Sequence, residues 1–216
     1  MNDCHITRVK ICGIRTLDTA LKAIECGASA LGFVFFGKSP RNILPGDARA
    51  IIGKLPPFVS KVGVFVEQGI QQIIETVKES GVDIVQLAGG QGMDFLEILR
   101  SRLDKPIIYA FQVQELSHNS LNSIRFAPAE AVLIDKLVPG EWGGTGERVP
   151  VRDDLTDGDH DFIRGRVIIA GGVNFSNARS IIDTIAPFGL DLSSGVESER
   201  GVKDPKLIEE FFRSIR

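Results

Sequence analysis

The chain has 216 residues, of which 43% are hydrophobic and 25% are charged, and its formal net charge is −3. This composition is typical of a soluble globular protein, and the small net charge argues against a nucleic acid or an anionic membrane as partner. No run of 18 apolar residues is present, so no transmembrane helix is expected.

Eight short apolar runs recur along the chain and predict eight β-strands. They are nearly continuous in hydrophobic residues and rich in β-branched and aromatic types, which is typical of strands buried on both faces of a parallel sheet. The runs cover residues 8–12, 30–35, 60–66, 84–87, 106–111, 131–135, 166–170 and 190–192.

Segments with helical periodicity lie between the predicted strands. Residues 17–26 place apolar side chains on one face and stop before Gly27, and residues 70–80 repeat the pattern and stop before Gly81. Further helices are predicted around 95–99, over 175–186 with Asn174 as N-cap, and over 205–215 with Pro205 in the first turn.

The order of these elements predicts an α/β fold, a single (β/α)8 TIM barrel over residues 1–216. The sixth helix is expected to be weak or short, because residues 150–162 are acidic and poorly periodic. An open doubly wound sheet is the alternative, but the Gly-x-Gly-x-x-Gly turn typical of that fold is absent after the first strand. In a barrel of this type, functional residues lie at the carboxyl ends of the strands.

The cysteines and histidines indicate where the protein works and whether it binds a metal. The three cysteines, Cys4, Cys12 and Cys26, form no Cys-x-x-Cys pair, and the first ten residues contain no apolar signal segment. Both features favour a cytoplasmic location. The three histidines show no ligand spacing, so no metal site is predicted.

Small residues follow the last two predicted strands and indicate a phosphate site. Phosphate binding requires a close approach of the backbone, which small residues permit, and barrels of this fold often build that site after strands seven and eight. The alternative is two tight turns without a ligand. The residues concerned are Gly171, Gly172, Ser193, Ser194 and Gly195.

Two side chains at strand ends are suited to proton transfer. Cys12 ends the first strand, and a nearby cation would lower the pKa of its thiol so that it acts as a base. Asp135 ends the sixth strand after three aliphatic residues, and partial burial would raise its pKa so that it acts as an acid. A buried structural cysteine and a loop-capping aspartate are the alternatives.

Two loops carry further candidate residues. Arg41, in the segment Lys38-Ser39-Pro40-Arg41 after strand two, can hold a carboxylate with its guanidinium group, or it can belong to a solvated basic loop. The glycine-rich residues 142–146 are typical of a mobile loop that closes over a ligand, with a plain connection as the alternative.

Several of these motifs occur together in one known family. The chain resembles phosphoribosylanthranilate isomerase from Val9 to Phe212, in the segments VKICGI, LGFVFFGKSPR, PPFVSKVGVFV, VQLAG, LIDK, GGTG, IAGGVN, DLSSGVES and GVKD. The resemblance implies a cofactor-free Amadori rearrangement of N-(5-phosphoribosyl)anthranilate to 1-(2-carboxyphenylamino)-1-deoxyribulose 5-phosphate in tryptophan biosynthesis. It implies a phosphosugar as the small-molecule partner, and a monomer or homodimer with neither nucleic acid nor membrane as partner.

The resemblance also implies roles for individual residues. Asp135 matches the general acid and Cys12 the general base of the family, and Arg41 matches the residue that holds the anthranilate carboxylate. Asp191 is expected to orient the sugar hydroxyls. The residues of the two small-residue turns named above match the phosphate loops.

The chain departs from the family pattern at three places. Ala88 replaces the usual histidine after strand four, Tyr109 and its neighbours contain no lysine at the end of strand five, and Glu147-Arg148 follow the glycine-rich loop. These changes surround the expected anthranilate and lid positions. They leave a relative that acts on another phosphosugar, or a non-catalytic phosphate-ligand binding protein, as alternatives to the isomerase.

Overall fold

The computed structural model describes residues 6–136 and 149–216. Cys4 and the predicted loop over residues 142–146 lie outside this range. In the described part of the chain, no helix has both the length and the apolar character needed to cross a bilayer.

Eight parallel strands form a closed barrel in which each strand pairs with the next and the last pairs with the first. This closure confirms the predicted barrel and excludes the open sheet. Each predicted strand overlaps an observed one, with ends that differ by at most two residues. The strands are β1 Arg8–Cys12, β2 Ala30–Val34, β3 Ser60–Phe65, β4 Ile84–Leu87, β5 Ile107–Val113, β6 Ala131–Lys136, β7 Val167–Ile169 and β8 Gly189–Leu192.

Helices alternate with the strands of the barrel. They are α1 Leu17–Cys26, α2 Pro45–Ile52, α3 Ile70–Ser80, α4 Met93–Arg102, α5 His118–Ile124, α6 Asp157–Arg166, α7 Ala178–Ile185 and α8 Pro205–Ser214. A 3-10 turn, Ser194–Val196, and a hairpin of β9 Glu197–Glu199 with β10 Val202–Lys203 follow β8.

Helix α1 shows how local sequence sets the boundaries of an element. The Thr16 hydroxyl accepts a hydrogen bond from the Thr19 backbone N–H, which satisfies one of the free donors of the first turn. Gly27 ends the helix with φ of 119°, in the left-handed region that favours glycine. The predicted stop at Gly27 is therefore confirmed, as is the stop at Gly81, which has φ of 76°.

The prediction of a weak or short sixth helix is wrong, because α6 has ten residues, as many as α1. Its stability depends on polar groups that the hydrophobic pattern does not reveal. Thr156 and Asp159 form a capping box, and Asp159 is fully buried. Phe162 and Ile163 supply the buried apolar face.

Helix α7 begins at Ala178, three residues later than predicted, and its N-cap is Asn177 instead of Asn174. The intervening residues form a polar turn. The Asn174 and Asn177 side-chain amides both donate to the Gly172 carbonyl, at 3.1 and 2.8 Å. The turn after β7 is thus held by asparagine side chains.

The hydrophobic core has an outer layer between barrel and helices and an inner layer inside the barrel. The inner layer is filled by apolar side chains, among them Val62, Ile108 and Leu133. Above it, toward the carboxyl ends of the strands, Cys12 packs against Val34 and Val64. This small cluster forms the floor on which the functional cavity rests.

Candidate active site

A cavity of about 550 Å³ opens at the carboxyl ends of the strands, where the barrel fold predicts the chemistry. Its wall contains residues that the sequence analysis selected from five different segments of the chain. Every candidate site residue lines it: Cys12, Arg41, Asp135, Gly171, Gly172, Asp191, Ser193, Ser194 and Gly195.

Cys12 lies next to a buried ion pair that the sequence analysis missed. Lys10 donates a hydrogen bond from Nζ to Asp191 Oδ1 at 2.8 Å, and both side chains are less than a tenth exposed. Lys10 precedes Cys12 by two residues on β1, so strand alternation directs both side chains into the barrel. A lysine within an apolar strand, in phase with a cysteine, was the signal in the sequence.

Gly32 on β2 brings the lysine and the thiol close together. A Cβ atom at this position would stand 2.9 Å from Cys12 Sγ and 3.1 Å from Lys10 Cε. Both atoms therefore lie over the same glycine, and any larger residue would displace them. The ammonium group is placed to stabilise a negative charge on the sulfur.

The expectation that the Cys12 pKa is lowered is wrong. Burial raises the pKa of the Cys12 thiol above its ordinary value, although the positive charge of Lys10 opposes the change. Burial would lower the pKa of Lys10, but its attraction to Asp191 and Cys12 outweighs burial, and the Lys10 pKa is raised. The ammonium thus remains charged beside a thiol that is mostly protonated near neutral pH.

Arg41 is held by a carboxylate of the chain itself. Its Nε and Nη2 atoms donate to the two carboxylate oxygens of Glu197, each at 2.8 Å. Lys203 Nζ donates to Glu197 Oε1 at 2.5 Å and to the Ser193 carbonyl at 3.0 Å. This network joins the loop after β2 to the hairpin after β8, which the sequence analysis did not foresee.

The positive charges of this network change the pKa of the Glu197 carboxyl group. Burial alone would raise the pKa of Glu197, but hydrogen bonds from Arg41 and Lys203 lower that pKa to about 2. The Glu197 carboxylate is therefore ionised at neutral pH, and it fixes the orientation of the guanidinium. Arg41 Nη1 has no hydrogen-bond partner within residues 6–136 and 149–216, and Arg41 lines the cavity.

Gly13 makes room for the Arg41 side chain. It has φ of 88°, and a Cβ atom there would lie 2.8 Å from Arg41 Cδ. The glycine that follows Cys12 is thus required both by the backbone conformation and by the arginine that crosses it.

Asp135 is buried at the end of β6 and lines the cavity. Its Oδ1 accepts a hydrogen bond from the Lys136 backbone N–H at 2.8 Å. The position predicted from the sequence, at the mouth of the barrel, is confirmed.

The two predicted phosphate turns lie against each other. Gly171 and Gly172 have φ of 74° and 62°, which favours glycine at both positions. A Cβ atom on Gly195 would stand only 2.1 Å from the Val173 carbonyl oxygen, so the turn after β8 contacts the turn after β7. Ser193 donates from Oγ to the Cys12 carbonyl at 3.4 Å, which places the phosphate turns beside β1.

The departures from the family pattern fall on the opposite wall of the cavity. Ala88 lines it after β4. The Tyr109 hydroxyl donates to the Gln91 carbonyl, and the Tyr109 ring contacts Phe111 edge-on with centroids 4.8 Å apart. Residues Glu147 and Arg148 lie outside the described range. Within that range, no group of three or more potential ligand residues is arranged to hold a metal ion.

Comparison with known proteins gives consistent matches over the whole length. Residues 9–214 match the family model described as N-(5'phosphoribosyl)anthranilate (PRA) isomerase. A protein named N-(5'-phosphoribosyl)anthranilate isomerase from Geotalea uraniireducens (strain Rf4) is 42% identical over 211 residues, which are 98% of this chain and 99% of that protein.

Solved structures agree with the sequence matches. The crystal structure of phosphoribosyl anthranilate isomerase from Thermus thermophilus superimposes with a TM-score of 0.80 at 34% identity, covering 96% of this chain and 98% of that one. Another phosphoribosyl anthranilate isomerase, in complex with reduced 1-(o-carboxyphenylamino)-1-deoxyribulose 5-phosphate, gives a TM-score of 0.77 at 36% identity, covering 97% of this chain and 98% of that one.

Proposed function

The chain belongs to the N-(5'-phosphoribosyl)anthranilate (PRA) isomerase family, and we propose that Cys12 and Asp135 are the general base and general acid of its reaction. It is an isomerase of tryptophan biosynthesis that acts on a small phosphoribosyl substrate. The observation that carries the residue assignment is the cavity that both side chains line, with the Lys10–Asp191 pair next to Cys12.

The first step opens the ribose ring. The Asp135 carboxyl gives its proton to the ring oxygen, the bond from C1 to that oxygen breaks, and the nitrogen lone pair forms a C1=N bond. The product is an open-chain protonated Schiff base, and Asp135 becomes a carboxylate. A positioned acid of this kind contributes about 10²–10⁴-fold to the rate.

The second step moves a proton from carbon. The Cys12 thiolate takes the proton on C2, and the electron pair of that C–H bond forms C1=C2 and neutralises the nitrogen. The Cys12 thiol then donates its proton to C1 of the enolamine and the Asp135 carboxylate accepts the enol proton, which gives the ketone and restores both groups. Lys10 stabilises the thiolate before the transfer. The residues exchange only protons with the substrate, so they account for the reaction without a cofactor.

Other residues of the cavity bind and orient the substrate. Arg41 binds the anthranilate carboxylate through the N–H groups that Glu197 does not occupy. The turns with Gly171, Gly172, Ser193, Ser194 and Gly195 bind the phosphate, and Asp191 accepts hydrogen bonds from the sugar hydroxyls. Glu197 acts indirectly by holding the guanidinium in one orientation.

The protein works in the cytoplasm, as a monomer or a homodimer. Analytical ultracentrifugation distinguishes the two oligomeric states, and fractionation of the source cells tests the location.

The direct test is turnover of N-(5-phosphoribosyl)anthranilate by the purified protein and two variants. Cys12→Ser and Asp135→Asn should each lower kcat by at least about 100-fold, because each removes a positioned base or acid. Circular dichroism confirms that the variants are folded. A folded variant that keeps more than about a tenth of wild-type kcat, with chemistry rate-limiting, would exclude that residue as catalyst.

A further inference from the structure

Gln86 is a buried polar residue that the proposed mechanism leaves without a role. It lies on β4, it is only 4% exposed, and it lines the cavity. Among the residues that the structure describes, none forms a hydrogen bond with its buried Oε1 atom. A buried amide in this state destabilises the folded protein, so its presence in the cavity wall requires an explanation.

Gln86 lies across the cavity from the turns that are proposed to bind the phosphate end of the substrate. In a ring of eight strands, β4 stands directly across from β8, so Gln86 faces the phosphate turns from the opposite wall. Its strand neighbour on β3 is Val64, which belongs to the floor cluster with Cys12. The amide therefore stands near the level of the base and away from the phosphate.

We propose that Gln86 is a substrate-binding residue whose side-chain amide accepts a hydrogen bond from the nitrogen that joins anthranilate to the ribose. This inference rests on the proposed function. A substrate with its phosphate at the turns after β7 and β8 and its C2 at Cys12 extends toward β4, where the linking nitrogen follows C1.

The hydrogen bond strengthens as the reaction proceeds. The linking nitrogen is a neutral N–H donor in the substrate and a positively charged one in the protonated Schiff base. Hydrogen bonds to charged donors are stronger than those to neutral ones, so Gln86 stabilises the intermediate more than the substrate. Its contribution should therefore appear mainly in kcat.

The test compares Gln86→Met with the wild-type protein, because methionine has a similar shape without hydrogen-bonding groups. The ligand-free variant should be at least as stable as wild type, since the change removes an unsatisfied buried group. Its kcat/KM should fall about 10–100-fold, mainly through kcat. It should bind the reduced product analogue more weakly than wild type and inorganic phosphate equally well.

Gln68→Met provides the matched control. The Gln68 amide accepts from the Val66 backbone N–H at 2.9 Å and donates to the Phe35 carbonyl, so this substitution should lower stability. If Gln86→Met instead loses stability like Gln68→Met, or keeps kcat/KM within threefold of wild type, the inference is overturned.

Binding of the reduced product analogue distinguishes a failure of this inference from a failure of the proposed function. Absence of wild-type turnover would contradict the proposed function. Equal affinity of wild type and Gln86→Met for the reduced product analogue would contradict only the role of Gln86.

Discussion

At the scale of single residues, the thiol of Cys12 depends on charges that its own position does not reveal. Lys10 and Asp191 form a buried pair beside it, and Lys203 and Arg41 are further cations on this side of the cavity. Burial dominates and raises the Cys12 pKa, and Lys10 is the largest opposing influence. A Cys12 thiolate is therefore strongly basic but a minor species near neutral pH, and its population depends on the charge of Lys10.

The positive charge of Lys10 should determine the pH at which kcat/KM declines on the alkaline side of its pH profile. A carboxylic acid ordinarily ionises several units below a thiol, and the Cys12 pKa is raised, so the alkaline limb of kcat/KM belongs to Cys12. Lys10→Met removes the attraction that favours the thiolate. In this variant the alkaline decline of kcat/KM should move to higher pH, and the maximum value of kcat/KM should fall. Measurements of kcat/KM from pH 5 to 11 test both changes.

Lys61→Met is the control for this prediction. Lys61 pairs with Asp83 at 2.7 Å near the start of β3, at the far end of the barrel, so its removal should leave the limb in place. The double variant Lys10→Met/Asp191→Asn avoids an unpaired buried carboxylate if the single variant is unstable. An alkaline limb that stays at the wild-type pH in both Lys10 variants would exclude this role.

Arg41→Ala should lower kcat/KM by an amount equivalent to about 2–4 kcal/mol, since it removes the proposed charge-assisted contact to the anthranilate carboxylate of the substrate. Arg41→Lys keeps the charge but loses the planar fork, so its loss should be intermediate. Arg15→Ala is the control, because Arg15 is an exposed arginine of the same region that donates to the Pro40 carbonyl. Steady-state kinetics that place Arg41→Ala within threefold of wild type would contradict the assignment.

The sequence predicted those site residues whose chemistry coincides with a strand end or a glycine-rich turn. Cys12, Asp135 and the two small-residue turns were selected in this way, and all of them line the cavity. Glu197 and Lys203 were missed because they act through a contact between loops that are 156 residues apart in the chain. Gln86 was missed because the absence of a hydrogen-bond partner becomes visible only when the neighbouring strands are in place.

At the scale of elements, apolar strands were predictable and polar helices were not. Buried strands such as β4 and β6 are continuous apolar runs, so their bounds follow from composition. Helix α6 has little periodicity, and a capping box of Thr156 and Asp159 begins it. The short helices α2 and α5 gave no signal strong enough for a prediction.

The Asp159 carboxylate should stabilise α6 by a measurable amount. It accepts hydrogen bonds from Thr156 and contacts Arg125 Nη2 at 2.5 Å and His118 Nδ1 at 2.8 Å. Burial opposes ionisation, but hydrogen bonds from Thr156 and His118 outweigh it and hold the Asp159 pKa well below its ordinary value. Asp159→Asn should lower the free energy of unfolding by about 2–4 kcal/mol at pH 7.

The pH dependence of this loss has a defined sign. A carboxyl whose folded-state pKa is lowered stabilises the fold above its unfolded pKa, near 3.9, and this contribution disappears as pH falls toward the folded value. The difference between wild type and Asp159→Asn should thus be constant from pH 7 to about 5 and shrink below about pH 4. Urea unfolding measures it. Exposed Asp161→Asn should change stability by less than about 0.5 kcal/mol, and an equal effect of both variants would refute the argument.

At the scale of the whole molecule, β1 and β8 close the barrel at the point where the functional residues concentrate. Lys10 and Asp191 are strand partners across this closure, and the hairpin after β8 reaches Arg41 in the loop after β2. The count of eight strand–helix units predicted the closed barrel. It did not predict that the two closing strands would also carry a buried ion pair beside Cys12.

Phosphate binding should stabilise the whole barrel, because the phosphate turns follow β7 and β8 and contact β1. A ligand at 100 times its Kd adds about 2.7 kcal/mol to the free energy of unfolding. Thermal unfolding in inorganic phosphate, against sodium chloride at equal ionic strength, should show a higher Tm in phosphate. Gly195→Ala should lose this shift, because its Cβ atom would stand 2.1 Å from the Val173 carbonyl oxygen and separate the turns.

Gly37→Ala is the matched control, since a Cβ atom at Gly37 meets no atom within 4 Å and the phosphate shift should persist. Ser194→Asp tests the site again by placing a negative charge in the turn, in case Gly195→Ala does not fold. A crystal grown in sulfate should show the anion between Gly172 and Ser194. A phosphate shift that survives both site variants, or an anion bound elsewhere with these turns empty, would show that the turns only close the barrel and bind no phosphate.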